Sequence, residues 1–152
     1  MSVYNKLRPW TQIEACECAS VSGLFLVDIL SDNPLHCDSC RKEVDPERIG
    51  LTVEETELVA RWYSSENALY LLWLDSGEYE EYAKACLLDP NGQINRLGLK
   101  VAETLSAKIP TRLWLFYDTD DGKPTQCPVC RNELDTDVKW GTGTCVNRRV
   151  QI

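Results

Sequence analysis

The chain has 152 residues, with 24 acidic and 16 basic side chains and a net charge of −8. Hydrophobic residues make up 43% of it, which excludes a disordered acidic tail. The longest strongly apolar run, residues 68–74, is too short to span a bilayer, and residues 1–10 lack the apolar stretch of a signal peptide. We therefore expect a cytoplasmic protein that does not enter a membrane. Its acidic balance also disfavours generic nucleic-acid binding.

Two short strands are predicted near the N-terminus, over residues 11–19 and 24–30. A first C-x-x-C pair, Cys37 and Cys40, follows the second of these strands. Without a secretory signal the chain is expected to stay in a reducing compartment, where clustered cysteines are metal ligands or redox groups more often than disulfides.

The next segment is predicted to begin with a helix. Thr52 and Glu55 have the spacing of a capping box, which places a helix over residues 53–63. The polar residues 64–67 are expected to break or re-cap this helix. The apolar residues 68–74 then favour a buried helix by their length and flanks.

Amphipathic spacing predicts two further helices, over residues 78–88 and 93–108. Together the helices form an insert over about residues 52–108. The residues expected to face the core are Leu58, Val59, Trp62, Tyr79, Tyr82, Ala83, Cys86, Leu87, Ile94, Leu97, Gly98, Val101 and Leu105. Gly98 within this stripe predicts the close approach of a neighbouring element, at some cost in helix propensity.

The last part of the chain returns to strands. Residues 112–117 alternate as a strand, and the second C-x-x-C pair, Cys127 and Cys130, follows an acidic turn. Residues 138–140 and 144–150 are predicted to form a final hairpin. We therefore predict a single α+β domain over the whole chain, with zinc-ribbon knuckles and short antiparallel strands flanking the helical insert.

The two cysteine pairs belong to an internal repeat. Written one above the other, CDSCRKEVD and CPVCRNELD share Cys, Cys, Arg, Glu and Asp at the same offsets. Each C-x-x-C turn is called a knuckle here. Two knuckles related by a pseudo-twofold axis make a zinc ribbon, in which four thiolates close a tetrahedron around one Zn²⁺. The predicted ligands of this structural zinc site are Cys37, Cys40, Cys127 and Cys130. The alternative is two unrelated C-x-x-C pairs, one of them redox-active.

The other cysteines carry weaker signals. Cys16 and Cys18 share one face of the predicted strand, so they either lie in a core or form a second metal site with Cys145 or Cys86. Burial is the simpler reading for Cys86, which lies on the apolar face of a helix. The single histidine, His36, is expected to have no metal role because it directly precedes the knuckle.

The order of elements resembles a bacterial zinc-ribbon-containing family of unknown function for which nucleic-acid binding has been suggested. The order is a knuckle, acidic helices, a small-residue helix (NRLGLKVAETL), a strand (TRLWLFYD) and then CPVC, over about residues 37–135. The resemblance implies that the four C-x-x-C cysteines are ligands, and it implies no catalytic residues. Such ribbons often carry glycine after the second cysteine, where this chain has Arg41 and Arg131. The departure indicates either a different knuckle geometry or arginines exposed for a partner.

The distribution of charge favours a binding module. Nine acidic and two basic residues stand between Glu54 and Asp89, a net charge of −7. A strongly acidic face suits a basic protein partner, because charge steers encounter and gives specificity. By class-level analogy, the favoured form is an immunity or antitoxin-type inhibitor or adaptor. The plain alternative is a solvated acidic surface that only keeps the protein in solution.

Two other function classes are compared with this one. A nucleic-acid-binding zinc ribbon is the main alternative, although the net charge counts against it. Its candidate contacts are Arg41, Lys42, Arg131, Arg148 and Arg149. An enzyme is not expected, because the chain has one histidine and none of the common catalytic motifs. A thiol oxidoreductase using Cys37 and Cys40 is the least poor enzymatic option.

Overall fold

The computed structural model describes residues 2–8, 14–27, 33–145, 147 and 149–152. The elements in chain order are a 3₁₀-helix (Val3–Leu7), strands β1 (Leu24–Leu26) and β2 (Leu35–Cys37), helices α1 (Val53–Asp75), α2 (Glu80–Leu88) and α3 (Gln93–Ser106), strand β3 (Thr111–Trp114), a 3₁₀ turn (Thr119–Asp121) and strands β4 (Thr144–Cys145) and β5 (Val150–Gln151). The predicted α+β class is confirmed. Within the described ranges, every helix is too short or too polar to cross a bilayer.

The strands form one mixed sheet in the order β2-β1-β3-β5-β4. The outer pairs, β1–β2 and β4–β5, are antiparallel. The inner pairs, β1–β3 and β3–β5, are parallel, with Leu24 opposite Thr111 and Leu113 opposite Val150. Parallel pairing needs a long crossover, and the helical insert supplies one before β3. The sheet is therefore antiparallel only at its edges, rather than throughout as predicted.

The predicted strands are only partly reproduced. Residues 11–13 and 28–30 lie outside the described residues. Ala15, in the first predicted strand, forms a single bridge with Glu43. The C-terminal hairpin lies within residues 144–151, because β4 pairs with β5 and not with residues 138–140.

Helix α1 is one continuous helix of 23 residues, so the break predicted at residues 64–67 is wrong. The buried positions Val59, Trp62 and Glu66 continue with helical spacing through the polar segment. Ser64 and Ser65 face outward, where they do not interrupt packing. Burial of one face thus outweighs the weak helix propensity of the serines.

The amphipathic prediction holds better for α3 than for α2. Ala83 and Leu87 of α2 are buried, but Tyr82 is 65% exposed and Tyr79 precedes the helix with 52% exposure. In α3 the predicted face is largely buried, and Gly98 lies against α1 and the sheet. A Cβ atom at Gly98 would lie 2.7 Å from Nε1 of Trp62, so the close approach predicted there is confirmed.

The capping box at the start of α1 is confirmed. The Glu55 backbone N–H donates to Oγ1 of Thr52 over 3.1 Å, and Oε2 of Glu55 accepts from the Thr52 backbone N–H over 2.8 Å. The same Oε2 atom lies 2.9 Å from Nζ of Lys108, just beyond the C-terminus of α3. Burial raises the pKa of Glu55, but these hydrogen bonds and the Lys108 charge outweigh it and hold the pKa below its usual 4.5.

We expect Glu55→Ala to lower the free energy of unfolding by about 1 kcal/mol at neutral pH. A depressed folded-state pKa stabilises the protein above the unfolded-state value and loses that contribution as the pH falls. The difference between variant and parent should therefore shrink as the pH falls below 4.5. Urea unfolding at neutral pH and at a pH below 4.5 measures the difference in the free energy of unfolding. Glu57→Ala, at an exposed position of the same helix, is the control and should change little. An equal difference at both pH values would contradict the ionic origin.

Candidate metal centres

The structure places the two C-x-x-C pairs in separate cysteine clusters. Cluster 1 contains Cys16, Cys18, Cys37 and Cys40, and cluster 2 contains Cys127, Cys130 and Cys145. Within each cluster the sulfur atoms all lie within 4.8 Å of one another. The prediction that Cys37 and Cys40 share one ion with Cys127 and Cys130 is therefore corrected.

The order of strands explains why the pairs do not meet. Cys37 ends β2 at one edge of the sheet, and Cys145 ends β4 at the other. Four strand spacings separate these edges, about 19 Å in a flat sheet. No single ion bridges that distance, so each knuckle recruits cysteines from its own neighbourhood.

The first knuckle is a tight turn closed by backbone hydrogen bonds. The Arg41 N–H donates to the Cys37 carbonyl over 2.8 Å, and the Cys37 N–H donates to the Lys42 carbonyl over 2.9 Å. The Lys42 N–H also lies 3.5 Å from Sγ of Cys40. Arg41 has a φ of 62°, the left-handed conformation for which glycine is usual.

The second knuckle repeats this geometry. The Arg131 N–H donates to the Cys127 carbonyl over 2.7 Å, and the Cys127 N–H donates to the Asn132 carbonyl over 2.8 Å. Arg131 has a φ of 64°. The repeat in sequence is thus a repeat in backbone conformation, with arginine at the left-handed position of both turns.

The two arginines differ in what their side chains contact. The Arg41 guanidinium lies over the rings of Trp114 and Trp140, at 4.6 and 5.5 Å from their centroids. This cation–π stacking engages the Arg41 guanidinium in contacts within the protein. The Arg131 side chain is exposed. Of the other predicted basic contacts, Arg149 is exposed and Arg148 lies outside the described residues.

An N-terminal segment completes cluster 1. The Cys16 N–H donates to the Glu43 carbonyl over 2.8 Å, and the Glu43 N–H donates to the Glu14 carbonyl over 2.8 Å. The Arg48 guanidinium donates to the carbonyls of Cys16, at 2.9 Å, and Cys18. These contacts hold the C-x-C segment beside the first knuckle. The alternation in sequence predicted that Cys16 and Cys18 share a face, but it did not indicate which pair they join.

Strand β4 completes cluster 2. Thr144 and Asp135 exchange backbone hydrogen bonds of 2.9 and 3.0 Å. These bonds set β4 beside the segment that follows the second knuckle and contains Asp135. This pairing brings Sγ of Cys145 to 3.5 Å from Sγ of Cys130. Cys127 and Cys145 are buried, whereas Cys130 is partly exposed.

Cys86 and His36 are not members of either cluster. Cys86 is partly exposed on α2. His36 is buried, with Nε2 2.9 Å from the Asn33 carbonyl oxygen. Burial lowers the pKa of His36 to about 4, so the ring is neutral at physiological pH.

The thiols of the clusters differ in acidity. Burial raises the pKa of Cys40 to about 12 and that of Cys127 to about 11. Burial also acts on Cys16, but hydrogen bonds from the Cys18 backbone and Arg48 lower its pKa to about 7. A metal displaces the remaining thiol protons as it binds, so affinity is expected to rise with pH.

Both clusters are positioned to bind a metal. Thiolate donors favour zinc, copper(I) or iron. A four-thiolate site is closed to water and therefore structural rather than catalytic.

Comparison with protein-family models, curated proteins and solved structures finds no match for this chain. The resemblance to a zinc-ribbon family therefore stays a prediction.

Proposed function

We propose that the chain is a non-catalytic binding module in which zinc in cluster 1 stabilises the fold and an acidic helical surface binds a basic protein partner. The observation that carries the proposal is the composition of the α1–α2 connection. We call this surface the hairpin tip, and define it by Leu71, Leu74, Asp75, Glu78, Tyr79, Glu80, Glu81 and Tyr82.

The hairpin tip exposes large apolar side chains. Leu71 and Leu74 are 45% and 49% exposed and lie three residues apart on α1. Tyr79 and Tyr82 add two exposed aromatic rings at the start of α2. Aromatic residues are enriched where proteins bind each other, because they bury much area at little entropic cost. A surface of this composition favours a protein over a small ion as its ligand.

The charges of the hairpin tip are all negative. The acidic residues at the tip are Asp75, Glu78, Glu80 and Glu81, all of them exposed. None of them forms an ion pair with another described residue. Nζ of the nearby Lys84 forms ion pairs with Oδ2 of Asp118 and Oδ2 of Asp121, at 2.9 and 3.0 Å. Carboxylates that have no nearby cation favour binding of a basic partner. The negative electrostatic potential that they create also raises the rate at which such a partner associates.

The specific form we favour is an immunity or antitoxin-type inhibitor, or an adaptor, that binds one basic protein. Zinc is the proposed ion because it binds four thiolates in closed tetrahedral sites. It also has no redox chemistry, and the proposed structural role requires none. Nucleic acid is the alternative ligand. The stacking of Arg41 on two tryptophans counts against it, because this cation is already engaged within the protein.

The test compares two variants with the same change in net charge. The tip variant carries Asp75→Asn, Glu78→Gln and Glu81→Gln, and the control variant carries Glu57→Gln, Glu103→Gln and Asp137→Asn. Each protein is used for affinity capture from its native host, and the captured partner is then purified for measurement of Kd. We expect one basic protein, bound at least about tenfold more weakly by the tip variant than by the control.

Three outcomes would contradict the proposal: equal weakening by the two variants, capture of nucleic acid in place of protein, or no stoichiometric partner. Tyr82→Ser, which leaves the charge unchanged, should also weaken binding, because the partner is expected to cover this ring. This variant separates a specific interface from general attraction between opposite charges.

A further inference from the structure

We propose that cluster 2 binds a second zinc ion through three thiolates and leaves the fourth coordination position open to a neutral nitrogen donor of the imidazole class from outside the chain. This site goes beyond the structural role proposed for cluster 1, and it does not depend on the hairpin tip.

The positions of the three sulfurs fit one tetrahedral ion. Thiolates at about 2.3 Å from zinc lie about 3.8 Å apart in a tetrahedron. Cys130 and Cys145 are 3.5 Å apart, and Cys127 completes the group within 4.8 Å. The knuckle that holds two of these residues has the same hydrogen bonds and the same left-handed arginine as the knuckle of cluster 1.

The fourth position has no strong ligand among the described residues. No histidine, aspartate, glutamate or further cysteine of the described ranges joins the three sulfurs. In cluster 1 the residue two places after Cys16 is Cys18, whereas the residue two places after Cys145 is Asn147. A neutral amide is a weaker zinc ligand than a thiolate or an imidazole. Sites with three protein ligands hold water or an external ligand in the fourth place.

One of the three ligands of cluster 2 reaches the protein surface. Cys127 and Cys145 are buried beneath the knuckle, while Cys130 is partly exposed. Two protected ligands and one at the surface describe a site held by the fold but open to solvent on one side.

The local charge favours a neutral donor over a further thiolate. Four thiolates on Zn²⁺ carry a net charge of −2. In cluster 1, Arg48 on the backbone of Cys16 helps to offset this charge, and Lys42 follows the C-x-x-C pair in sequence. Cluster 2 has Asn132 at the position of Lys42. No described arginine or lysine side chain donates to the Cys145 backbone as Arg48 does to Cys16. An imidazole leaves the charge of the ion and its three thiolates at −1, and it is a preferred donor for zinc.

The test uses the 152-residue chain loaded with cobalt(II), whose visible absorption bands report the donor atoms. We expect the parent and Cys86→Ser, the control outside both clusters, to bind two cobalt ions per chain. Cys145→Ser is expected to bind one. Imidazole should then shift the d–d bands of the parent and Cys86→Ser in a saturable way, with no shift in Cys145→Ser. The thiolate-to-cobalt absorbance should stay constant.

One cobalt ion per parent chain, no response of the parent to imidazole, or an equal response from Cys145→Ser would overturn the proposal. A second measurement avoids variants that fail to fold. X-ray absorption of the zinc-loaded parent should give about 3.5 sulfurs per zinc, the mean of four and three thiolates. A value of four would show that cluster 2 is closed by another sulfur and would also overturn it.

Discussion

Removal of zinc from cluster 1 is expected to unfold the protein. Binding of structural zinc by four protein ligands contributes about 10–16 kcal/mol in small zinc-finger peptides. The whole stability of a domain of this size is typically about 5–15 kcal/mol. In this chain the ion would tie the N-terminal segment at Cys16 and Cys18 to the end of β2 at Cys37. Its loss would leave the hydrogen bonds of Glu43 and Arg48 to hold the N-terminal segment beside the first knuckle.

The measurement is thermal unfolding, followed by circular dichroism, of samples whose metal content is known. We expect a strong chelator to lower the melting temperature sharply or to abolish the cooperative transition. Cys37→Ser, at a fully buried ligand, should act in the same direction, while Cys86→Ser should melt like the parent. A metal-free sample that melts at the same temperature as the loaded one would remove the structural role of the ion.

Trp62→Ala is expected to lower the free energy of unfolding by about 3–5 kcal/mol. The Trp62 side chain is fully buried and is the largest such side chain among the described residues. It fills the space where α1 meets α3 at Gly98, and alanine would leave a cavity that a close-packed interior cannot fully close.

Urea unfolding measures this loss, with Arg61→Ala as the control because that neighbouring side chain is exposed. The zinc content of both variants should remain that of the parent, since neither residue belongs to a cysteine cluster. A loss below about 1 kcal/mol would mean that the core collapses around the cavity more completely than buried tryptophan sites usually do.

Local features of this fold could be predicted from the sequence. The capping box at Thr52 and the amphipathic face of α3 depend on residues within a few turns of one another. The close approach at Gly98 is signalled by a glycine within that face, although its neighbours, Trp62 and Leu113, are distant in sequence. The repeated knuckle is local as well, because its backbone hydrogen bonds join Cys37 to Arg41 and Lys42. Such features follow from spacing and side-chain chemistry, so the chain carries a readable signal for each.

Long-range features could not be predicted in the same way. The grouping of the cysteines depends on the order of strands, which no local pattern encodes. Two equivalent knuckles favoured one shared ion, yet β1, β3 and β5 lie between the edges that carry them. The exposure of Tyr79 and Tyr82 was missed for a related reason. Their spacing fits an apolar face, but α2 is short and buries only Ala83 and Leu87.

The knuckles also cover both borders of the sheet. In the segment after the first knuckle, Glu43 forms a β-bridge with His36 of β2. In the segment after the second knuckle, Asp135 forms a β-bridge with Thr144 of β4. Uncovered sheet borders recruit strands from other chains. We therefore expect protein that has lost its metal to expose these borders and to self-associate.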